Sequence, residues 1–115
     1  MEKRLEIIRQ HLGKPVHVVV DRPVGYDHHG ILYPVNYGFL PGLLAGDEED
    51  QDVYILGVDI PLEEFDGVVI GAALRADDVE DKLIAAPAGM TFTRKQIAEA
   101  VFFQEQYFDS VIVLP

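Results

Sequence analysis

Five of the six residues from Asp47 to Asp52 are acids, in a stretch that reads GDEEDQDV from Gly46. A second cluster follows further along: Asp77, Asp78, Glu80 and Asp81. The two segments hold nine of the chain's 20 acids, so a site explains the excess negative charge better than an evenly solvated surface. Carboxylate oxygens are hard ligands suited to Mg²⁺, Mn²⁺ or Ca²⁺. If the two loops met, Asp47, Glu49, Asp52, Asp77 and Asp81 would converge, and bound cations would relieve their repulsion. Taken singly, each loop reads more plainly as a solvated turn. An EF-hand is a poor match, because Asp52 stands at the sixth loop position where Gly is required.

Other residue types narrow the chemistry. Tyr33, Tyr37 and Tyr107 each lie beside apolar residues; they read as core phenols with a hydrogen-bonded tip or as donors to a phosphate oxygen. Lys82 follows Asp81 and reads as a surface ion pair or a phosphate ligand. His28 and His29 read as a polar turn, since adjacent loop residues seldom face one ion. The absence of cysteine excludes disulfides, thiolate metal sites and a Cys nucleophile. GxSxG, P-loop and GxGxxG patterns are absent too.

The elements that must position these groups follow from periodicity. Leu5, Ile8 and Leu12 share one helical face over Glu2 to Leu12, with Gly13 as the stop. Val16 to Asp21 reads as a strand and Arg22 to Gly30 as a loop. Ile31 to Phe39 is extended, with Pro34 at an edge or bend. Val53–Val58, Gly67–Leu74 and Leu83–Ala86 are further strands, which places both acidic clusters at strand ends. Thr93 with Gln96 predicts a capping box opening a helix that runs to about Phe108, and Val111–Leu114 a short final strand. About five strands with a helix near each end predict one domain over residues 1–115: a small, mostly antiparallel barrel or curled sheet with packed helices. No helix-length segment lies between Val16 and Ala86, which argues against a parallel βαβ fold.

In order and spacing, YPVNYGFLPG, GDEEDQDVYILG, RADDVEDKLIAAP and FFQEQYF resemble four blocks of the soluble, family I inorganic pyrophosphatases. The resemblance spans about Val16 to Phe108. It implies an α+β fold, a five-stranded OB-like barrel with an N-terminal and a C-terminal helix. It also implies hydrolysis of pyrophosphate to two phosphates with several Mg²⁺ ions. By the same resemblance Asp47, Glu49, Asp52, Asp77 and Asp81 (or Glu80) are metal ligands. Glu49 takes the general-base position and Tyr37 is counted with it as catalytic. Lys82, Tyr33, Tyr37 and Tyr107 are substrate contacts.

Several positions depart from the family pattern. Glu48 stands for its Gly, Glu49 for an Asp, Asp50 for a Pro, and Phe108 for a basic residue after the helix tyrosine. Arg22 and Arg75 are further cations available to a phosphate, although neither matches a family motif. The alternatives are a non-catalytic metal- or phosphate-binding homologue, and a hydrolase of another pyrophosphate compound. A net charge of −11 disfavours nucleic acid and anionic membranes as partners. No apolar run approaches a membrane span, and the N-terminus lacks a signal-peptide core. The resulting expectation is a cytoplasmic homo-oligomer that takes pyrophosphate or another small phosphate compound, with Mg²⁺ or Mn²⁺ as cofactor.

Overall fold

The structure is a computed structural model describing residues 2–45 and 49–115. Helix α1 (Glu2–His11) turns its apolar face inward, with Ile8 buried and Leu5 and Leu12 packed beside it. Gly13 ends it in a left-handed conformation (φ 77°), and its N–H donates to the Val69 carbonyl. Strands β1 (Pro15–Arg22), β4 (Asn36–Leu44), β5 (Asp50–Ile55), β6 (Glu64–Arg75) and β7 (Lys82–Ala86) pair in the order β1-β4-β5-β7-β6. A further β1–β6 pairing, from Pro15 opposite Val68 to Val19 opposite Glu64, closes the ring. All these pairings are antiparallel except β5–β7, which β6 links without a helical crossover. The fold is therefore the expected five-stranded barrel, mainly β with flanking helices. Strand β8 (Ser110–Val113) adds to β6 outside the closed ring.

One departure from expectation lies in the segment after β1. A short hairpin forms there, β2 (Asp27–His28) with β3 (Ile31–Leu32). Two rungs are too few to show as alternation in sequence. Local chemistry makes the turn: the Gly30 N–H donates to the Asp27 carboxylate, and His29 and Gly30 both have positive φ. Pro34 then breaks the extended run before β4, as anticipated.

The period-two alternation of strands builds two cores. Val18, Leu40, Val53, Ile55, Val69, Ala72, Leu83 and Ala85 come from all five barrel strands and fill the interior. The opposite face offers Tyr37, Tyr54 and Ile84, which pack with Ile97 and Val101 of helix α2 (Arg94–Glu105). Thr93 caps α2 through the predicted capping box. Because α2 covers the outside of β5 and β7, these two strands are buried on both faces.

The Asn and Gly of YPVNYG have structural reasons. Asn36 is fully buried; its carbonyl accepts from the Val24 and Leu62 N–H groups, and its amide donates to the Val58 and Ile60 carbonyls. It joins two loops that would otherwise bury unpaired backbone. At Gly38 a Cβ would lie 2.0 Å from the Val19 carbonyl oxygen, so only Gly lets β1 and β4 approach.

Candidate active site

Alternation also sets the site. On the barrel's outer face, Asp52 lies two residues before Tyr54, and Lys82 two residues before Ile84. Both point to the same side as the α2-covered core but sit where α2 no longer covers the sheet. The Lys82 side chain is almost fully buried, and its Nζ donates to Asp52 Oδ2 at 2.6 Å, with Glu80 at 3.9 Å. Tyr37, opposite Tyr54 on the neighbouring strand, places its ring 5.7 Å from the same ammonium. Burial raises the Tyr37 phenol well above its usual pKa, and the adjacent Asp52 charge and hydrogen bond add to this. Tyr37 therefore remains protonated and able to donate.

Arg22 reaches the site through a bulge. Val20 pairs with Gly38, but the next pair is Arg22 with Tyr37, so Asp21 is the extra residue. The bulge puts Arg22, not Asp21, across from Tyr37. Its guanidinium lies 5.4 Å and 5.6 Å from the Tyr37 and Tyr33 rings and donates to the Tyr33 hydroxyl at 2.6 Å. Tyr33 in turn donates to Gln104 of α2 at 2.6 Å. The Asp21 carboxyl is pushed up by desolvation, which outweighs the pull of Arg22, and Asp52 adds to the rise.

A cavity of about 290 Å³ lies between these groups, with Arg22, Tyr37, Asp52, Glu80 and Lys82 in its wall. His28 of the hairpin also lines it; desolvation, then Arg22 and His29, hold its pKa below the ordinary value, so it is neutral at pH 7. A second cavity of about 480 Å³ adjoins the first and is lined by Phe39, Glu49, Asp50, Asp52 and Glu80. Asp52 and Glu80 belong to both.

The remaining wall is a buried ion network. Arg75 donates through Nε and Nη2 to Glu105 of α2 and through Nη1 to Asp78 at 3.2 Å, with Phe108 stacked 3.6 Å from its guanidinium carbon. Glu105 also accepts from the Tyr54 and Ser110 hydroxyls at 2.6 Å each. Burial pushes the Glu105 carboxyl up, but the hydrogen bonds from Arg75, Ser110 and Tyr54 outweigh it and hold it below its usual value.

The sequence-predicted residues divide. Glu49, Asp52, Lys82 and Tyr37 come together around the paired cavities. Asp81 is turned away: Arg4 of α1 and the Arg75 N–H hold its carboxylate, and Glu80, the alternative second acid, lines both cavities instead. Asp77 is exposed and accepts from the Asp109 N–H. Tyr33 is buried with its O–H directed to Gln104. Tyr107 is 64 % exposed and lines neither cavity. Asp47 lies outside the described residues. Sequence reasoning missed Arg4, Asp21, Gln104 and Glu105. Only Glu105 carried a signal: it continues the four-residue spacing of Ile97 and Val101, and an acid on a buried stripe needs a buried partner.

The carboxylates around the larger cavity are hard oxygen donors and fit Mg²⁺ in chemical type. Among the described residues, no three His, Asp or Glu side chains group closely enough to hold an ion.

Comparison with known proteins bears on the fold and its relatives. The chain is 30% identical over 88 residues to an inorganic pyrophosphatase of Caulobacter vibrioides, covering 65% of this chain and 48% of that protein. It is 38% identical over 77 residues to one of Haloferax volcanii, covering 61% and 40%. The chain thus spans about half the length of the curated relatives it matches. In structure it resembles the inorganic pyrophosphatase of Ehrlichia chaffeensis, with a TM-score of 0.67, 17% identity, and 86% and 84% of the two chains covered. That of Neisseria gonorrhoeae gives 0.63, 22%, and 83% and 74%. At those identities the structures establish the fold. No family model matches the chain. The chain is thus similar in sequence to inorganic pyrophosphatases over part of their length, and similar to them in fold.

Proposed function

We propose that the chain hydrolyses inorganic pyrophosphate to two phosphates, with Mg²⁺ as cofactor and Mn²⁺ as a substitute. One observation carries the reading: a cavity lined by four carboxylates and Phe39 and a cavity bearing Lys82 and Arg22 share the wall of Asp52 and Glu80. A divalent ion would have to draw Glu49, Asp52 and Glu80 together, since they do not group closely enough to hold it as they stand. Bound there, it supplies charge neutralisation and a lowered pKa for water.

The chain's own groups then have distinct tasks. Glu49 accepts a proton from water as the water oxygen bonds to one phosphorus and the bridging P–O bond breaks. The bridging oxygen leaves with the second phosphate. Lys82, fixed by Asp52, presents ammonium protons to phosphoryl oxygens, and the protonated Tyr37, hydrogen-bonded to Asp52, holds that acid in place. The protein acts in the cytoplasm as a homo-oligomer, without nucleic-acid or membrane partners; no described helix is long and apolar enough to cross a membrane.

Phosphate release from pyrophosphate with Mg²⁺, with EDTA and in Glu49→Ala is the test. Turnover that needs the metal and falls by about 10²–10⁴ in Glu49→Ala is expected. A second reading, binding without hydrolysis, draws on the Lys82–Asp52 contact, which already engages the acid common to both cavities. Calorimetric Mg²⁺ binding with no phosphate released from any pyrophosphate compound would select it. A panel in which another pyrophosphate compound outpaces pyrophosphate would reassign the substrate.

A further inference from the structure

The β2–β3 hairpin builds an aromatic ledge at the edge of the smaller cavity. Tyr26 and His28 stand two residues apart and so share one face of the extended chain. Their rings lie near-parallel, 25° apart with centroids 6.4 Å from each other. The buried Tyr33 ring meets both edge-on, at 6.2 and 6.5 Å, and braces them. His29 adds a fourth ring 4.4 Å from His28. Tyr26 nevertheless keeps 40 % of its surface in water.

The cavity itself has two kinds of wall. Arg22 and Lys82 suit anions, whereas His28 and Phe108 present rings. Desolvation, then Arg22 and His29, hold the His28 imidazole below its ordinary pKa, so at pH 7 it offers a flat face rather than a counter-charge. Bare pyrophosphate is all charge and oxygen, and uncharged rings add little to its capture. A diphosphate bonded to a flat organic group uses both walls. At about 290 Å³ the cavity is close to the roughly 300 Å³ at which sites for organic ligands begin, and Tyr26 extends the His28 face beyond it.

We propose that the chain also cleaves a nucleoside 5′-diphosphate, whose base stacks on the Tyr26–His28 ledge while its phosphates meet Arg22 and Lys82. The ribose sets the base one sugar's length from the phosphates, so the ledge and not the cavity interior takes the base. Water oxygen bonds to the terminal phosphorus, its proton passes to Glu49 and the bridging P–O bond breaks. The nucleoside monophosphate leaves with the bridging oxygen. Cleavage rests on the pyrophosphatase reading; the base site rests on the ring geometry.

The test separates the base from the phosphates. With Mg²⁺ present, the full chain is titrated calorimetrically with methylenediphosphonate and with the α,β-methylene analogue of adenosine diphosphate. Both carry an uncleavable P–C–P bond, and they differ in the nucleoside. The nucleoside analogue is expected to bind about tenfold tighter, as stacking of one base on aromatic side chains does. Tyr26→Ala should remove that advantage and leave methylenediphosphonate binding unchanged, whereas Tyr26→Phe, which keeps the ring, should retain it. Leu32→Ala, on the other face of the same hairpin, should change neither. Phosphate release from adenosine diphosphate and from pyrophosphate is measured alongside. Melting curves establish that each variant is folded, and His28→Ala, which should also remove the advantage, serves if Tyr26→Ala is not. Equal affinity for the two analogues, failure of both to bind, or an advantage that survives Tyr26→Ala would overturn the proposal. Pyrophosphate turnover without a nucleoside advantage would overturn it and leave the hydrolytic reading standing. A Tyr26-dependent advantage with no phosphate released from either compound would support the base site and overturn cleavage together with the hydrolytic reading.

Discussion

At the scale of single residues, Glu105 shows how far the site leans on helix α2. Its carboxylate anchors Arg75, Tyr54 and Ser110 at once, and it is 6 % exposed. Glu105→Gln keeps the shape but strands a buried guanidinium, so we expect a loss of about 3 kcal/mol in urea unfolding at neutral pH. The folded state holds this carboxyl below its ordinary 4.5, so its contribution is present above that pH and disappears as pH falls through the lowered value. The gap between wild type and Glu105→Gln should therefore narrow in acid; a gap constant down to pH 2 would contradict the assignment. Residue type and spacing left Glu49, Asp52, Lys82 and Tyr37 open between structural and chemical uses; the resemblance of the blocks that carry them singled them out. They did not separate Glu80 from Asp81, because that choice depends on Arg4, which lies far away in sequence. Nor did they assign Arg22, because a single bulge decides which of two adjacent residues faces the cavity.

At the scale of elements, the β1–β6 seam that closes the barrel carries an ionisable clasp. His17 on β1 reaches Asp66 at 2.8 Å and Glu64 at 3.1 Å on β6, one through each ring nitrogen. Only the protonated imidazole donates to both, and the hydrogen bond to Asp66, followed by that to Glu64, raises its pKa above 6.5. The stabilisation is therefore complete below 6.5 and vanishes as pH rises through the raised pKa of the folded state, which lies above 6.5. Thermal melts of wild type against His17→Gln should converge on going from pH 6 to pH 9, and added salt should shrink the difference at pH 6, since the groups are exposed. A difference independent of pH would rule out the clasp. Both helices, the barrel strands and the break at Pro34 were readable as elements, but β4 runs on to Leu44, β5 already begins at Asp50, and α2 stops at Glu105 rather than near Phe108. The β2–β3 hairpin was not, because two rungs leave no periodic trace and its turn depends on Asp27 and on positive φ at His29 and Gly30.

At the scale of the whole molecule, α1 and α2 have different relations to the site. Helix α2 supplies Gln104 and Glu105 directly, whereas α1 acts at a distance: Arg4 holds the Asp81 carboxylate and the Arg75 carbonyl, fixing the turn that bears Glu80. Arg4→Met should thus raise KM for pyrophosphate severalfold without touching the cavity, and lower stability by about 2 kcal/mol from the unpaired buried Asp81. A melting shift with KM unchanged would confine Arg4 to a structural part. The barrel was legible as a class because strand spacing and the two terminal helices leave few architectures. Its closure was not, since the pairing of Pro15 with Val68 leaves no local mark.

Strands β5 and β7, covered by the interior on one side and by α2 on the other, also set a clock. Their amide protons are shielded from deuterated solvent on both faces and held in ladders on both edges. They can exchange only when the barrel opens as a unit, so their rate reports the free energy of the complete molecule. The amides of the β2–β3 hairpin, with two rungs and neighbours open to water, exchange by local fluctuation and report on the mouth of the cavity alone. A single deuterium time course would therefore read the stability of the scaffold and the breathing of the site separately, in one sample.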